Sequence, residues 1–389
     1  RSPYHGWYRW ADEPHDYLGP WGQRVWHQLA WWQRGWQHFD YLAYYGVFSP
    51  HMPDLDLRHP QATQAIHAVA RFWLEEMRAD GFRLDAARHL IEDGTVQEDT
   101  AATHDWLRRF FAVVKATAPD AVLVGEIWAE SEIVATYGPD QVDLTFQFDL
   151  ATAIVEAVRD RRADGLARAL QAIQLGFSSG RFATFLSNHD QVRVLTQLAG
   201  DRDGARLAAS LLLTLPGVPF IYYGEEIGMV GSKPDPRIRT PMQWTSGRHA
   251  GFSSHRPWQR LQLGHDTTNV ENELADPGSL LHHYRRLIRL RNARPSLHLG
   301  TYRPIATGSA QLFAFLRRAG AEATLVVVHL GDEPLADYRL DVGPSDLTGA
   351  AAADLASGLA LPPLAATGYR PIDRLAPHTA YLIALGPGE

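Results

Sequence analysis

Three short segments of this 389-residue sequence combine residue types that could do chemistry. The first is GFRLDAARH, Gly81 to His89, in which Arg83 and Asp85 lie two apart. On a strand, residues i and i+2 share a face, so the arginine would hold the aspartate ionised and low in pKa. The second is VLVGEIW, Val122 to Trp128, where Glu126 ends an apolar run beside a tryptophan. Burial against aromatics raises a carboxyl pKa, which suits a general acid. The third is FLSNHDQ, Phe185 to Gln191, which ends in His189 and Asp190. Taken singly, each has a structural reading: a buried ion pair, a glutamate leaving its strand into solvent, a hydrogen-bonded His-Asp pair. A metal site would want a second histidine at helical ligand spacing, and none accompanies His189.

These residues need a frame. From about residue 58 the sequence alternates between helical and strand patterns. Gln61–Ala79 reads as an amphipathic helix with Ile66, Val69, Ala70, Trp73, Leu74 and Met77 on one buried face. Strands are expected at 82–85, 121–126, within 141–149, at 182–186 and at 219–223. Helices are expected at 105–118, 151–162, 203–215 and 279–292. Strands alternating with helices describe a parallel sheet or a βα barrel. The uncharged run from Leu207 to Gly224 is split by Pro216, Gly217 and Pro219, so it reads as buried helix, turn and buried strand rather than a membrane span. Beyond Pro295, short β runs at 311–316, 323–329 and 380–384 suggest an antiparallel domain. Thr348–Ala366 reads as a loop. Residues 1–57 show no sustained periodicity and read as a loop-rich excursion.

The frame changes the weight of the motifs. Barrel enzymes carry catalytic residues on the carboxyl ends of several strands. Here Asp85, Glu126 and Asp190 each end one. Forty-one residues separate the first two and 64 the last two, spacings of one and two βα units. Two carboxylates of opposed pKa facing each other describe retaining glycoside hydrolysis. Composition is compatible: 37 Lys plus Arg against 44 Asp plus Glu give a net charge of −7, which argues against a nucleic-acid surface. Twelve tryptophans fit either a large core or a surface that stacks on sugar rings, and seven of them fall between residues 7 and 36. With no cysteine, disulfides and Cys-based zinc or redox sites are excluded.

GFRLDAARH, GEIW and FLSNHDQ, with MPDL at Met52–Leu55 and PGVPFIYYGEEIG at Pro216–Gly228, resemble the alpha-amylase family of glycoside hydrolases in content, order and spacing. MPDL and KPDPRIRTPMQW (Lys233–Trp244) look most like the bacterial group intermediate between alpha-amylases and oligo-1,6-glucosidases. The resemblance implies a (β/α)8 TIM barrel, of which this chain holds strands four to eight, with a loop-rich inserted domain and a C-terminal antiparallel β-sandwich. The expected divisions are 1–57, 58–296 and 297–389. By resemblance Asp85 is the nucleophile, Glu126 the general acid/base and Asp190 the transition-state stabiliser. Arg83 supports the nucleophile, and His189 binds sugar hydroxyls. Arg88 and His89 lie toward the leaving group. Trp128, Asp235 and Arg239 are further substrate contacts, with plain packing an equal reading for Trp128. Tyr222 and Tyr223 belong to the core of the eighth strand.

The implied substrate is an α-glucan such as starch or a maltooligosaccharide, with no nucleic acid and no membrane span. No cofactor is needed for catalysis, although a structural calcium ion fits the family. One departure stands out. The family's Asp-x-x-x-x-Asn-His segment has no counterpart before Met52, since Asp12, Asp16 and Asp40 lack it. Strands one to three have none either. A longer enzyme, of which this is a part, is the expected explanation; a diverged chain that depends on a partner is the other. Within enzymes, an oligo-1,6-glucosidase-like or transglycosylating activity would use the same carboxylates. A non-catalytic carbohydrate-binding relative would have lost one, and none is lost.

Overall fold

The computed structural model describes residues 2–29, 43–177 and 180–386. Trp31, Trp32, Trp36 and Asp40 lie outside the described residues. The chain divides into two compact units, Arg1–Trp128 with Thr136–Phe146, and Ala129–Ala135 with Gln147–Glu389.

The first unit begins with three short antiparallel strands, β1 (Trp10–Ala11), β2 (Trp26–Gln28) and β3 (Ala43–Tyr45), with β3 in the middle. Their core is small: Val25, Trp26, Ala43, Tyr45 and Val47. Helix α1 (Pro60–Arg71) starts on a proline, whose fixed φ suits a first helical position. It is shorter than its periodicity suggests. A π-helical turn follows at Phe72–Glu76, and Arg78 in left-handed conformation ends the element. The wide turn shifts the helical phase of the residues beyond it, Met77 among them. Ala70 and Leu74 are buried as expected, but Val69, Trp73 and Met77 are exposed.

Strands β4 (Gly81–Leu84), β5 (Val122–Gly125) and β6 (Leu144–Thr145) form a parallel sheet in that order. Gly81 has φ +150°, and a Cβ there would meet the Val122 carbonyl oxygen at 1.9 Å, so only glycine lets β4 lie this close to β5. Between β4 and β5 runs α2 (Ala101–Thr117), which starts four residues earlier than the pattern suggests because the Thr100 side chain caps it by accepting from the Thr103 N–H.

Beyond its short Ala129–Ala135 segment, the second unit continues with α3 (Phe148–Asp160) and α4 (Asp164–Gly176). The strand expected within 141–149 is therefore short, since Phe148 and Asp149 already belong to α3. Next come β7 (Ala183–Thr184), α5 (Arg202–Thr214) and β8 (Val218–Pro219), with β7 and β8 parallel. Asp201 caps α5, accepting from the Gly204 N–H. Its last carbonyls accept from two buried arginines, Arg291 (to Leu213 and Leu215, both 3.0 Å) and Arg317 (to Thr214, 2.7 Å). These cations sit at the negative end of the helix dipole. Burial still pushes them down, Arg291 to about 10 and Arg317 to about 9.

Helix α6 (Leu280–Ala293) leads into the last region. Strands β9 (Thr301–Ile305), β10 (Leu312–Ala319), β11 (Glu322–His329), β12 (Ala351–Asp354), β13 (Ala360–Leu361) and β14 (Thr379–Gly386) make one antiparallel sheet in the order β13-β12-β14-β11-β10-β9. Alternation along the strands decides what each face meets. Phe313, Phe315, Val326, Val328 and Leu382 join the core that α3, α4, α5 and α6 build. Ala314, Leu316, Leu325, Val327 and Ile383 pack against Leu340, Tyr369 and Leu375. That second layer is irregular, touching the rest through isolated bridges such as Leu335–Leu375 and Leu340–Tyr369. Thr348–Ala366, expected as a loop, instead supplies β12 and β13. Alanine has little β-propensity, so its strands leave a weak trace in sequence. Among the described residues no helix is long and apolar enough to cross a membrane.

Candidate active site

The register of the first unit's sheet decides where two of the carboxylates stand. Leu84 pairs with Gly125, so Asp85 and Glu126 occupy the next matching positions at the carboxyl ends of neighbouring strands. The Glu126 N–H donates to the Leu84 carbonyl at 2.9 Å, and the Glu126 carbonyl accepts from the Ala87 N–H at 3.0 Å. Ala86, immediately after Asp85, adopts φ 44°, a left-handed conformation unusual for a residue with a Cβ. Arg83 bridges the pair, donating one guanidinium nitrogen to Asp85 and another to Glu126. The strand itself is only half-buried, contrary to expectation; among the described residues β4 pairs with β5 alone.

The two carboxylates differ in environment. The side chain of Asp85 is 75% exposed and that of Glu126 only 10%. Burial pushes Glu126 above the ordinary carboxylate range. The Arg83 charge opposes that, while a hydrogen bond with Asp85 and the Asp85 charge reinforce it. One accessible carboxylate beside one that favours its protonated form is the division that a nucleophile and a general acid require.

Arg88 and His89 follow on a short 3-10 turn, Ala87–His89. Arg88 is taken up by protein partners: Asp99, Glu98 at 3.3 Å and the Trp128 carbonyl at 2.8 Å. Its donors therefore organise the loop. His89 is held by the Gln97 carbonyl at 3.3 Å, and burial pushes its imidazole down. Gln97, which the sequence does not single out, ties three segments together: its amide donates to the Leu18 carbonyl and its oxygen accepts from the Tyr45 hydroxyl. On the other side of His89 lie Trp21, at 5.2 Å between ring centres, and Phe48, at 5.8 Å. Trp21 is 60% exposed, a held aromatic face of the kind that stacks on a sugar ring. Trp128 is also exposed.

The second unit carries Asp190. Its N–H donates to the Asn188 side chain at 2.9 Å, and its carboxylate meets Arg239 and, at 3.1 Å, the His189 imidazole. Arg239 also reaches the His189 carbonyl at 2.7 Å and Asp235 at 3.0 Å. The Lys233 ammonium, then Arg239, hold the Asp235 carboxyl below its usual range. All four residues named from the sequence in this region are thus one polar cluster.

Behind the cluster is Arg193, which sequence reasoning passed over. It is buried and donates to the carbonyls of Ile238 at 3.0 Å and Tyr223 at 2.7 Å. Tyr222 and Tyr223 are not strand residues. Strand β8 stops at Pro219, with one last bond from the Phe220 N–H to the Thr184 carbonyl at 2.7 Å. Both tyrosines instead lie against the Arg193 guanidinium, at 4.5 and 4.7 Å, with hydroxyls on the Ile238 and Thr240 carbonyls. One arginine thus joins the Asp190 segment to the Arg239 segment. The only signal was an arginine three residues past Asp190.

Glu225 is buried nearby, accepting from the Tyr284 hydroxyl at 2.7 Å with its other oxygen unpartnered. Burial pushes its carboxyl up to about 8. Between about 4.5 and 8 the folded chain therefore keeps a proton that the unfolded chain has released, and stability falls as pH rises through that window. Glu225→Gln should remove a few kcal/mol of this fall. Urea denaturation at pH 5 and pH 8 checks it: equal losses in both proteins would show that Glu225 does not titrate this way.

Against this geometry, comparison with known proteins is direct. The profile described as "Alpha amylase, catalytic domain" matches residues 1–300. The chain belongs to the alpha-amylase family. Its relatives in this family include "Alpha-amylase 3" of Dictyoglomus thermophilum, 35% identical over 291 residues, covering 74% of this chain and 57% of that protein. A "Probable alpha-glucosidase" of Rhizobium meliloti is 30% identical over 390 residues, covering 84% and 68%. The crystal structure of the alpha-amylase from H. orenii superposes with a TM-score of 0.81 at 31% identity, over 99% of this chain and 75% of that one. The chain spans 57%, 54% and 44% of three of the curated relatives it matches. The barrel strands four to eight and the C-terminal antiparallel sheet are the alpha-amylase fold.

Calcium is the ion the family resemblance allowed. Among the described residues no group of three or more His, Asp or Glu side chains could hold a metal ion.

Proposed function

We propose that this chain belongs to a retaining glycoside hydrolase that cleaves α-1,4-glucosidic bonds of starch, maltodextrin or related α-glucans. The supporting observation is the Asp85–Arg83–Glu126 arrangement: an exposed carboxylate and a buried, proton-favouring one in matching register, bridged by one guanidinium. In the first step Asp85 Oδ attacks the anomeric carbon. The bond to the leaving oxygen breaks, and that oxygen takes the proton of Glu126. In the second step a water gives its proton to Glu126 and its oxygen to the anomeric carbon. The sugar–Asp85 bond breaks, the carboxylate is restored, and the configuration is retained. Arg83 aims the Asp85 carboxylate. Asp190, held by Arg239 and His189, is the third carboxylate, and the resemblance gives it the transition-state role.

A transglycosylating reading has one observation in its favour. A relative named "Trehalose synthase" from Thermus thermophilus is 30% identical over the whole of this chain, covering 44% of that protein. Both readings use the same carboxylates. Incubation of the full-length gene product with maltoheptaose and with isomaltose, followed by chromatography, tests them. Shorter maltooligosaccharides from maltoheptaose alone support the hydrolase. Longer or rearranged products support transfer, and cleavage of neither substrate contradicts both.

A further inference from the structure

Helix α6 carries a basic face. His282, Arg285, Arg286 and Arg289 fall at i, i+3, i+4 and i+7, a single stripe. The stripe lines a cavity of about 590 Å³ whose opposite wall includes Leu355, Ala356, Ala380 and Leu382. No acidic residue lines it. Nearby arginines are paired: Arg202 with Glu273, Arg206 with Asp203, Arg294 with Glu322. Among the described residues, no carboxylate pairs with Arg285, Arg286 or Arg289.

What holds Arg286 is an imidazole. Its Nη2 donates to His283 Nδ1 at 2.8 Å. That leaves His283 Nε2 to carry the hydrogen, which it directs to the Arg206 carbonyl and the Ser210 hydroxyl, both at 3.0 Å. Burial, then the Arg286 charge, pushes the imidazole down to about 4, so it is a neutral partner. The guanidinium is therefore positioned without being neutralised. A carboxylate in the same place would have cancelled its charge; a neutral acceptor leaves it for something arriving from outside. The contrast with the three paired arginines separates this cluster from an ordinary solvated face.

We propose that this cavity binds a small organic anion, in which one oxyanion group meets Arg286 and Arg289 and an apolar body lies against Leu355 and Leu382. The division of the lining sets the class: guanidinium forks match the planar or tetrahedral oxygens of a carboxylate, sulfonate or phosphate monoester, and the aliphatic wall has nothing to offer a second charge. The site is independent of the glucan reading, since none of its residues is placed in the carboxylate machinery.

The probe is 1-anilinonaphthalene-8-sulfonate, titrated by fluorescence into the full-length gene product, with the uncharged N-phenyl-1-naphthylamine as its control. Arg286→Gln and Arg289→Gln lie on an exposed face and should leave the thermal transition and glucan cleavage unchanged. Each should weaken sulfonate binding about ten-fold, the loss of a charge-assisted hydrogen bond, and leave binding of the neutral dye as it was. Leu382→Ala should weaken both dyes. Absence of saturable sulfonate binding, equal affinity in the arginine variants, or an equal loss for the neutral dye would each overturn the proposal.

Discussion

Asp85→Asn should lower kcat on maltoheptaose by about 10⁴-fold or more while leaving oligosaccharide binding measurable by calorimetry. The amide is nearly the same shape but cannot form the glycosyl ester. The side chain is largely exposed, so the loss cannot be put down to a collapsed core. The substitution also leaves Arg83 with one carboxylate partner, Glu126, in place of two. The Asp85 charge is one cause of the upward push on Glu126, so its removal should lower the Glu126 pKa. A variant that keeps normal turnover would show that Asp85 is not the nucleophile. A variant that loses binding along with turnover would show a structural role instead.

Glu126→Gln should show a different signature. Proton transfer to a poor leaving group is worth about 10²–10⁴-fold, so cleavage of maltoheptaose should fall by that order. α-Glucosyl fluoride needs no proton on its leaving group, and its first step should be nearly spared. Azide, which needs no general base, should then speed the second step. The pH profile carries the sign. Glu126 must be protonated for the first step, and burial raises its pKa, so wild-type kcat/KM should hold to a higher pH than an ordinary glutamate would allow. Glu126→Gln should lose that alkaline limb. Equal losses on the fluoride and the oligosaccharide, or an unmoved alkaline limb, would assign the proton to another group.

Glu126 was readable in the sequence because it ends an apolar run, Asp85 because Arg83 stands two residues before it on the same strand, and Asp190 because a polar cluster closes its strand. Register was not readable. That Leu84 pairs with Gly125, and so sets Asp85 beside Glu126, depends on the approach that Gly81 permits. The residues that sequence reasoning missed act at a distance along the chain. Arg193 reaches carbonyls 30 and 45 residues away, and Gln97 reaches one 79 residues away. Nothing local to either residue shows such partners. Amphipathic α4 and the alanine-rich β12 were missed for opposite reasons, one lying between stronger motifs and the other lacking β-branched side chains. The exposed Val69, Trp73 and Met77 show the limit of periodicity: it marks a stripe but not what packs against it.

The most direct test of the central claim is covalent. The full-length gene product is incubated with 5-fluoro-α-glucosyl fluoride, whose ring fluorine slows release of the sugar from the enzyme, then digested and analysed by mass spectrometry. The expected result is a single fluoroglucosyl label on the carboxylate of Asp85, absent from Asp85→Asn. A label on another residue, or substrate turnover through the β-configured product with no covalent species, would contradict a retaining mechanism through Asp85.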